Sequence, residues 1–328
     1  MNKVWNRVKN NKYLKSLGPV GVLIGILLFM FISTPEFRSA ANLTQVLLSA
    51  SVYMLLAMGM SFVIIIGGID LSVGSIVGLT GGITCITMTM FHIPLGFALI
   101  CGALCGLACG FINGLLVTKL GLIPFIATLG GQWIYRGILK LLNNGATITV
   151  RGAVNDETMD MMLFLGNGRF LGIPIPVYVV AVVAIILTFL LKKTTYGRSV
   201  YAIGSNTETA RMAGINVKRV QLMTFSLAGL LSGIAGLVML SRMISAQTNT
   251  GEGYEFEGIF ASVIGGVSMA GGEGNVLGAL IGALIVAILR NGLNLNGVNS
   301  FWQQVILGIL IVLVVYIDSL RTRKKSAF

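Results

Sequence analysis

The run LSVGSIVGLTGGITCITMTMFHIPLGFALICGALCGLACGFINGLLV, from Leu71 to Val117, contains no Asp, Glu, Lys or Arg. A helix rises about 1.5 Å per residue and the hydrocarbon of a bilayer is about 30 Å thick, so roughly 20 apolar residues make one crossing. This run is too long for one crossing and carries His92, Ile93 and Pro94 near its middle. It therefore reads as a hairpin of two membrane spans. The rest of the chain agrees: 55% of its 328 residues are hydrophobic, 10% are charged and the mean hydropathy is +0.89, against roughly 25% charged in soluble domains. A water-soluble protein is excluded, and no polar stretch is long enough to fold separately.

Working outward between charges and turn signals gives ten crossings, at about residues 17–33, 43–66, 72–91, 94–118, 122–142, 174–191, 220–240, 256–271, 274–290 and 301–318. The expected fold class is an all-α polytopic membrane protein. One membrane domain covers 17–320, between a basic segment at 1–16 and a basic tail at 321–328. The segment 256–271 is short and glycine-broken, and so is expected to be a re-entrant or half helix, which is tolerated only when buried in protein. The N-terminal run lacks a small-residue cleavage site and meets Pro35 and Glu36; it reads as a retained first span rather than a signal peptide.

The formal charge is +12, and its placement decides what it means. The basic residues cluster beside apolar segments, without aromatic-interleaved grooves or zinc-type spacing, so orientation in a membrane explains them and nucleic acid does not. With the N-terminus inside, 16 basic residues fall on the cytoplasmic side and 7 elsewhere, whereas 4 acids (Asp70, Glu208, Glu273, Asp318) are inside and 7 outside. Both termini are expected to be cytoplasmic. The polar connection 143–172, with Asp156, Glu157 and Asp160, is then external, and 192–219 is the longest internal loop.

Cys101, Cys105 and Cys109 recur every four residues and, with Cys85, sit in apolar spans without basic or histidine neighbours; they read as small buried hydrophobes, not as a metal or thiolate site. Gly102, Gly106, Gly110 and Gly114, and Gly274, Gly278 and Gly282, form stripes, with Gly229 and Gly233 a shorter pair. Small residues let helices approach closely in lipid, and packing within the chain is the expected use. Polar residues inside apolar spans are candidates for a solute path or for bonds between helices: Asp70, Ser72, Asn113, Thr128, Gln132, Arg136, Asn291 and Asn294, with Gln303 and Gln304. Thr128, Gln132 and Arg136 share one helix face. Asp70 is the only charge between Arg38 and Lys119, and a helix N-cap is its alternative role. The segment Val263–Gly272 echoes Gly67–Ser75, and Asn113-Gly114-Leu115 is echoed by Asn291-Gly292-Leu293, which hints at an internal repeat of the kind transporters use. In the internal loop, Asn206 is expected to cap a short helix over 207–213, with Glu208 in its first turn and Gly214 as its stop. Such a surface helix suits docking to a cytoplasmic protein; a plain basic connector held by membrane lipid headgroups is the alternative.

These motifs resemble those of the permease subunits of bacterial ribose-type ABC importers, a family that also serves xylose, galactose, allose and autoinducer-2. The resemblance rests on Gly-Ile-Asp-Leu-Ser-Val-Gly-Ser at 68–75 and Pro-Phe-Ile-Ala-Thr-Leu-Gly at 124–130. It extends over Gly197-Arg198 through Gly204, Asn206, Ala210 and Ala213-Gly214-Ile215, and over Gly253-Tyr254-Glu255, the later glycine pairs and Asn291-Gly292-Leu293. It departs at Ala213, where serine is common, and at Glu257. The resemblance implies a multi-pass protein of the bacterial inner membrane that is not itself an enzyme. It further implies a homodimer of permeases, cytoplasmic ABC ATPase subunits and a periplasmic or extracellular sugar-binding protein, with Arg198, Gly204, Asn206, Glu208, Ala210, Arg211, Gly214 and Ile215 in the ATPase-coupling segment. No Gly-x-x-x-x-Gly-Lys-Ser/Thr phosphate loop occurs in the chain, so ATP would be hydrolysed by another subunit; no cofactor is expected. A secondary carrier is the rival class. It would need titratable groups at mid-depth, where only Asp70 is expected.

Overall fold

A computed structural model describes residues 18–142 and 144–326; the N-terminal basic segment lies outside the described residues. The chain is all-α. Its helices are α1 (Gly18–Ser33), α2 (Ala40–Ile65), α3 (Val73–Thr89), α4 (Leu95–Thr118), α5 (Pro124–Leu142), α6 (Asp156–Asn167), α7 (Ile175–Lys193), α8 (Thr195–Ser205), α9 (Thr207–Met212), α10 (Val217–Met243), α11 (Tyr254–Ile264), α12 (Val276–Leu295) and α13 (Ser300–Ser326). Two short antiparallel pairs complete it: β1 (Ile148–Thr149) with β4 (Ser245–Ala246), and β2 (Arg169–Phe170) with β3 (Ile173–Pro174). The basic tail expected over 321–328 continues α13 as far as Ser326.

The uncharged run that opened the reading folds as the hairpin α3–α4. It turns at His92, whose φ of 52° is left-handed, and restarts after Pro94. Helices α2, α4, α7, α10 and α12 are long and apolar enough to cross a membrane; α1, α3 and Ser300–Tyr316 of α13 are shorter apolar helices. The protein is thus a polytopic membrane protein. Helices α2 and α10 form its centre, and the outer faces of α1, α4, α5, α7 and α13 expose Phe29, Leu104, Trp133, Ile185, Phe189 and Trp302.

The most extensive helix pairing is α4 with α10. Lipid supplies no hydrophobic force between helices, so dispersion contact has to hold this seam, and that requires bare backbones. A Cβ on Gly106 would lie 2.6 Å from the Gly229 carbonyl oxygen and 2.7 Å from the Gly233 Cα; one on Gly110 would lie 2.9 Å from the Gly229 Cα. Gly278 and Gly282 of α12 pack in the same way on Gly265 and on the Ala261 carbonyl. Gly274, expected in that stripe, precedes the helix and lies in the connecting turn. The glycine stripes are used within the chain.

The suggested repeat exists as a pair of helix breaks. At the end of α2, the Gly67 N–H bonds to the Ile64 carbonyl (2.9 Å) and the Gly68 N–H to the Val63 carbonyl (2.8 Å); at the end of α11, the Gly266 N–H bonds to the Val263 carbonyl (2.9 Å) and the Val267 N–H to the Ser262 carbonyl (3.0 Å). This is one capping pattern used twice, with Gly67 and Gly266 at φ 82° and 93°, a conformation in which glycine avoids the Cβ penalty. The Asn-Gly-Leu echo is not part of it. Asn113 sits in α4, whereas Asn291 sits in α12, the helix directly after the second break.

Two elements differ in detail from expectation. The eighth crossing is a half helix, as expected, but over Tyr254–Ile264 rather than 256–271: α11 has 11 residues, about 16 Å at 1.5 Å each, and is reached by an irregular segment, 244–253, made of two strand residues and successive turns. Its first turn lies beside the middle of α2, where Tyr254 packs edge-on against Tyr53 at 5.5 Å. The second difference is α8, which was expected to be loop. Its glycines 197 and 204 argue against a helix locally, but Gly197 fits against the Leu191 carbonyl and Gly204 against the Ile65 carbonyl, where a Cβ would collide.

Candidate functional site

The break after α2 carries the first polar cluster. Asp70 is fully buried, and its Oδ1 accepts from the Ser72 N–H (2.9 Å) and the Ser72 hydroxyl (2.6 Å). This is a local turn closed two residues on, not the N-cap considered from the sequence, since no side chain caps α3. Asn113 of α4 donates its amide to the Ser72 oxygen at 2.7 Å, and the Tyr135 hydroxyl of α5 lies 2.9 Å from the Asn113 Oδ1. Thr128 accepts from the Leu71 N–H at 3.1 Å. Asp70, Ser72, Asn113 and Thr128 are therefore brought together across three helices, tying the break to α4 and α5. Sequence reasoning missed Tyr135, whose only signal is its place one turn beyond Gly131 on the same face.

Higher on the same face of α5, Gln132 donates to Glu255 Oε1 at 2.9 Å, and Arg136 donates through Nη1 to the Thr248 and Thr250 carbonyls at 2.9 and 2.6 Å. The shared face of Thr128, Gln132 and Arg136 thus meets the break, the first turn of α11 and the segment leading into it. Glu257, also in that first turn, is paired with Arg290 of α12, whose Nε is 2.7 Å from Oε1. Glu255 and Glu257 are each only 3% exposed. Counted by sequence among the external acids, they are buried at mid-depth instead, because the half helix begins beside the midpoint of α2. The expectation that Asp70 alone would be titratable within the membrane is overturned for the same reason. The available signal was two acids and Arg290 in otherwise apolar stretches, whose depth is fixed only once the eighth crossing is known to begin with an irregular segment, 244–253.

Asn291 and Asn294 stand apart from both clusters. Asn291 exchanges a reciprocal pair of bonds with Asn42 (3.0 and 2.7 Å), and Asn294 accepts from Gln303 at 2.7 Å, both toward the α13 end of α12. Gln304 is exposed. Among the described residues no group of three or more His, Cys, Asp or Glu is placed to hold a metal ion. Cys85 and Cys109 are buried, Cys101 and Cys105 half-buried, and all four are free thiols.

At the opposite end of the bundle from α6, α8 and α9 form a projecting surface. Asn206 caps α9 by accepting from the Thr209 N–H at 2.9 Å, and Gly214, at φ 81°, ends it, as expected. Arg198, Glu208, Arg211 and Gly214 are exposed, Ala210 is buried and Ile215 half-buried, and Arg211 bonds Glu208 at 2.8 and 2.9 Å. An open cleft of about 480 Å³ lies beside them, lined by Tyr196, Ser199, Gly214, Ile215, Asn216 and Arg219 among others. Beneath this surface α8 touches both helix breaks. The Gly272 N–H donates to the Ile65 carbonyl at 2.8 Å directly against Gly204, and the Tyr201 hydroxyl donates to the Gly274 carbonyl at 2.7 Å. The second break is also held by α13, where Asp318 accepts from the Met269 N–H at 3.0 Å.

Residues 42–315 match the family model described as branched-chain amino acid transport system / permease component. The chain is 43% identical over 321 residues to the ribose import permease protein of Bacillus subtilis (strain 168), covering 98% of this chain and 97% of the relative. It is 38% identical to the D-allose transport system permease protein of Escherichia coli (strain K12), covering 90% and 88%. With the xylose transport system permease protein of Haemophilus influenzae (strain ATCC 51907 / DSM 11121 / KW20 / Rd) the identity is 36%, covering 91% and 94%. No solved structure matches the chain.

Proposed function

This chain belongs to the branched-chain amino acid transport system / permease component family, and on that premise we propose that it is the membrane-spanning subunit of an ABC importer that carries a ribose-like monosaccharide into the cytoplasm. The observation that carries this reading is similarity along 98% of the chain to a ribose import permease. ATP is hydrolysed by a separate cytoplasmic ATPase, a sugar-binding protein delivers the solute from outside, and two copies of the permease pair in the bacterial inner membrane. The α8–α9 surface is the ATPase docking site. The solute path follows the α5 face of Thr128, Gln132 and Arg136 past the Asp70–Ser72–Asn113 cluster, with Asn291 and Asn294 at its outer mouth.

Complementation tests the function. Expressed with its cognate ATPase and binding protein in cells lacking pentose permeases, the chain is expected to restore uptake of labelled D-ribose; absence of uptake for D-ribose, D-xylose and D-allose alike would reject it. Orientation is tested separately. The excess of basic residues supports an orientation with both termini and α9 in the cytoplasm and α6 outside. In a background without the four native cysteines, Glu157→Cys is expected to react with an impermeant maleimide added to intact cells and Glu208→Cys only after permeabilisation. Labelling of Glu208→Cys in intact cells would invert the topology.

A further inference from the structure

Five buried side-chain oxygens have no hydrogen-bond partner among the described residues, and besides Asp70 Oδ2, Thr188 Oγ1 and Glu257 Oε2 these are Glu255 Oε2 and Thr250 Oγ1, near the middle of the bundle. The last two belong to one small region. A Cβ on Gly74, at the start of α3, would strike both Glu255 Oε2 and the Gly251 carbonyl oxygen, and a Cβ on Gly78, one turn on, would lie 2.8 Å from the Thr250 carbonyl oxygen and 3.0 Å from Arg136 Nη1. Bare backbone on α3 thus lies directly against the carboxylate and the irregular segment before α11. The depth is set by two neighbours: Tyr254 packs on Tyr53 at the middle of α2, and Gln132, which donates to Glu255, is at the middle of α5.

A buried acceptor left without a donor costs about 1–3 kcal/mol, and more when charged, so a ligand that brings donors to this region gains what the closed protein forgoes. The groups gathered here are mixed. Glu255 Oε2 and the Thr250 and Gly251 carbonyls accept; the Gln132 amide, the Arg136 guanidinium and the Thr250 hydroxyl donate. A sugar hydroxyl both donates and accepts, and a ring bearing several of them can meet both kinds of group at once. A carboxylate and a guanidinium side by side disfavour a net charge of either sign on the ligand.

We propose that Glu255 and Thr250, with Gln132 and Arg136, form a mid-depth binding site for a neutral polyhydroxylated solute, closed here by the contact of Gly251 with Gly74. This rests on the importer reading above and adds to it two residues and a place. Entry of solute separates the 247–253 segment from α3 and replaces the Gln132–Glu255 bond with bonds to hydroxyls. A site that hydrogen-bonds substrate hydroxyls in a dry setting discriminates strongly against analogues lacking them, so deoxy sugars are poorer ligands.

Two measurements test the site. In the complete importer reconstituted in liposomes, Glu255→Gln keeps the side-chain shape and is expected to lower D-ribose uptake at least ten-fold while the permease still assembles with its ATPase. Uptake within two-fold of the parent, or loss of assembly, overturns the site. The second needs no transport. In purified permease lacking its native cysteines, D-ribose is expected to slow alkylation of Thr250→Cys, 2-deoxy-D-ribose to slow it less, and Glu255→Gln to remove the protection. Alkylation indifferent to D-ribose also overturns the site. A parent importer that moves no sugar, yet shows this protection, rejects the importer reading and leaves the site standing.

Discussion

Gly229→Leu is expected to remove most of the folded permease from the membrane. The side chain would start from a Cβ 2.6 Å from both the Gly110 Cα and the Gly110 nitrogen, and these are helix backbone atoms that no rotamer change can move. The collision lies in the seam between α4 and α10, the most extensive pairing in the bundle. Overpacking by a few methylenes already costs about 1–3 kcal/mol where side chains can yield. Here two helices must part, and each loses the dispersion contact that holds it in lipid. Gly137→Leu is the matched control: Gly137 of α5 has nothing within 4 Å of its Cβ position, so folded yield should be unchanged. The comparison is read as monodisperse protein recovered by size-exclusion chromatography after mild solubilisation. Equal recovery of the two variants would show that the seam does not hold the bundle.

The second large effect is expected at the docking surface. Gly214→Trp places a bulky residue at φ 81°, where L-residues pay roughly 1–2 kcal/mol, and puts an indole at the lip of the cleft beside α8. Arg211→Glu sets two acids three residues apart in place of an exposed pair with Glu208. That pair is worth at most about 1 kcal/mol to the fold, so its loss does not unfold anything; what changes is the charge presented to a partner. Both positions are solvent-facing and lie outside the spans. Each substitution should lower ATP-dependent sugar uptake more than ten-fold and reduce co-purification of the ATPase, with insertion and permease pairing intact. Wild-type coupling in both variants would return α8–α9 to the status of a plain connector.

Much of the fold was legible because the signals are local. Spans are long apolar runs; Asn206 and Gly214 mark α9 by capping chemistry that acts within a few residues; the glycine stripes announce close helix contacts by their spacing alone. What was not legible depends on long-range placement. Glu255 and Glu257 look external because nothing in the sequence marks where the chain re-enters the bundle before the half helix, and only the irregular segment before α11 carries them to mid-depth. α8 is a helix despite its glycines because Ile65 and Leu191 carbonyls fill the space where side chains would stand. Thr128, Gln132 and Arg136 were read correctly as one face, since helical periodicity fixes that. Which groups would meet them, a helix break and two carbonyls of an irregular segment, is a property of the tertiary fold.

The contact of α8 with both helix breaks has a kinetic consequence. Gly204 sits where the Ile65 carbonyl receives the Gly272 N–H, so a displacement of α8 strains the first half of the bundle and the second in the same instant. Neither half can move past the other there without breaking that hydrogen bond. Under the proposed function, a stroke delivered by an ATPase at this surface is expected to reach both helix breaks together, so that half-switched states, through which a solute could slip back, are disfavoured.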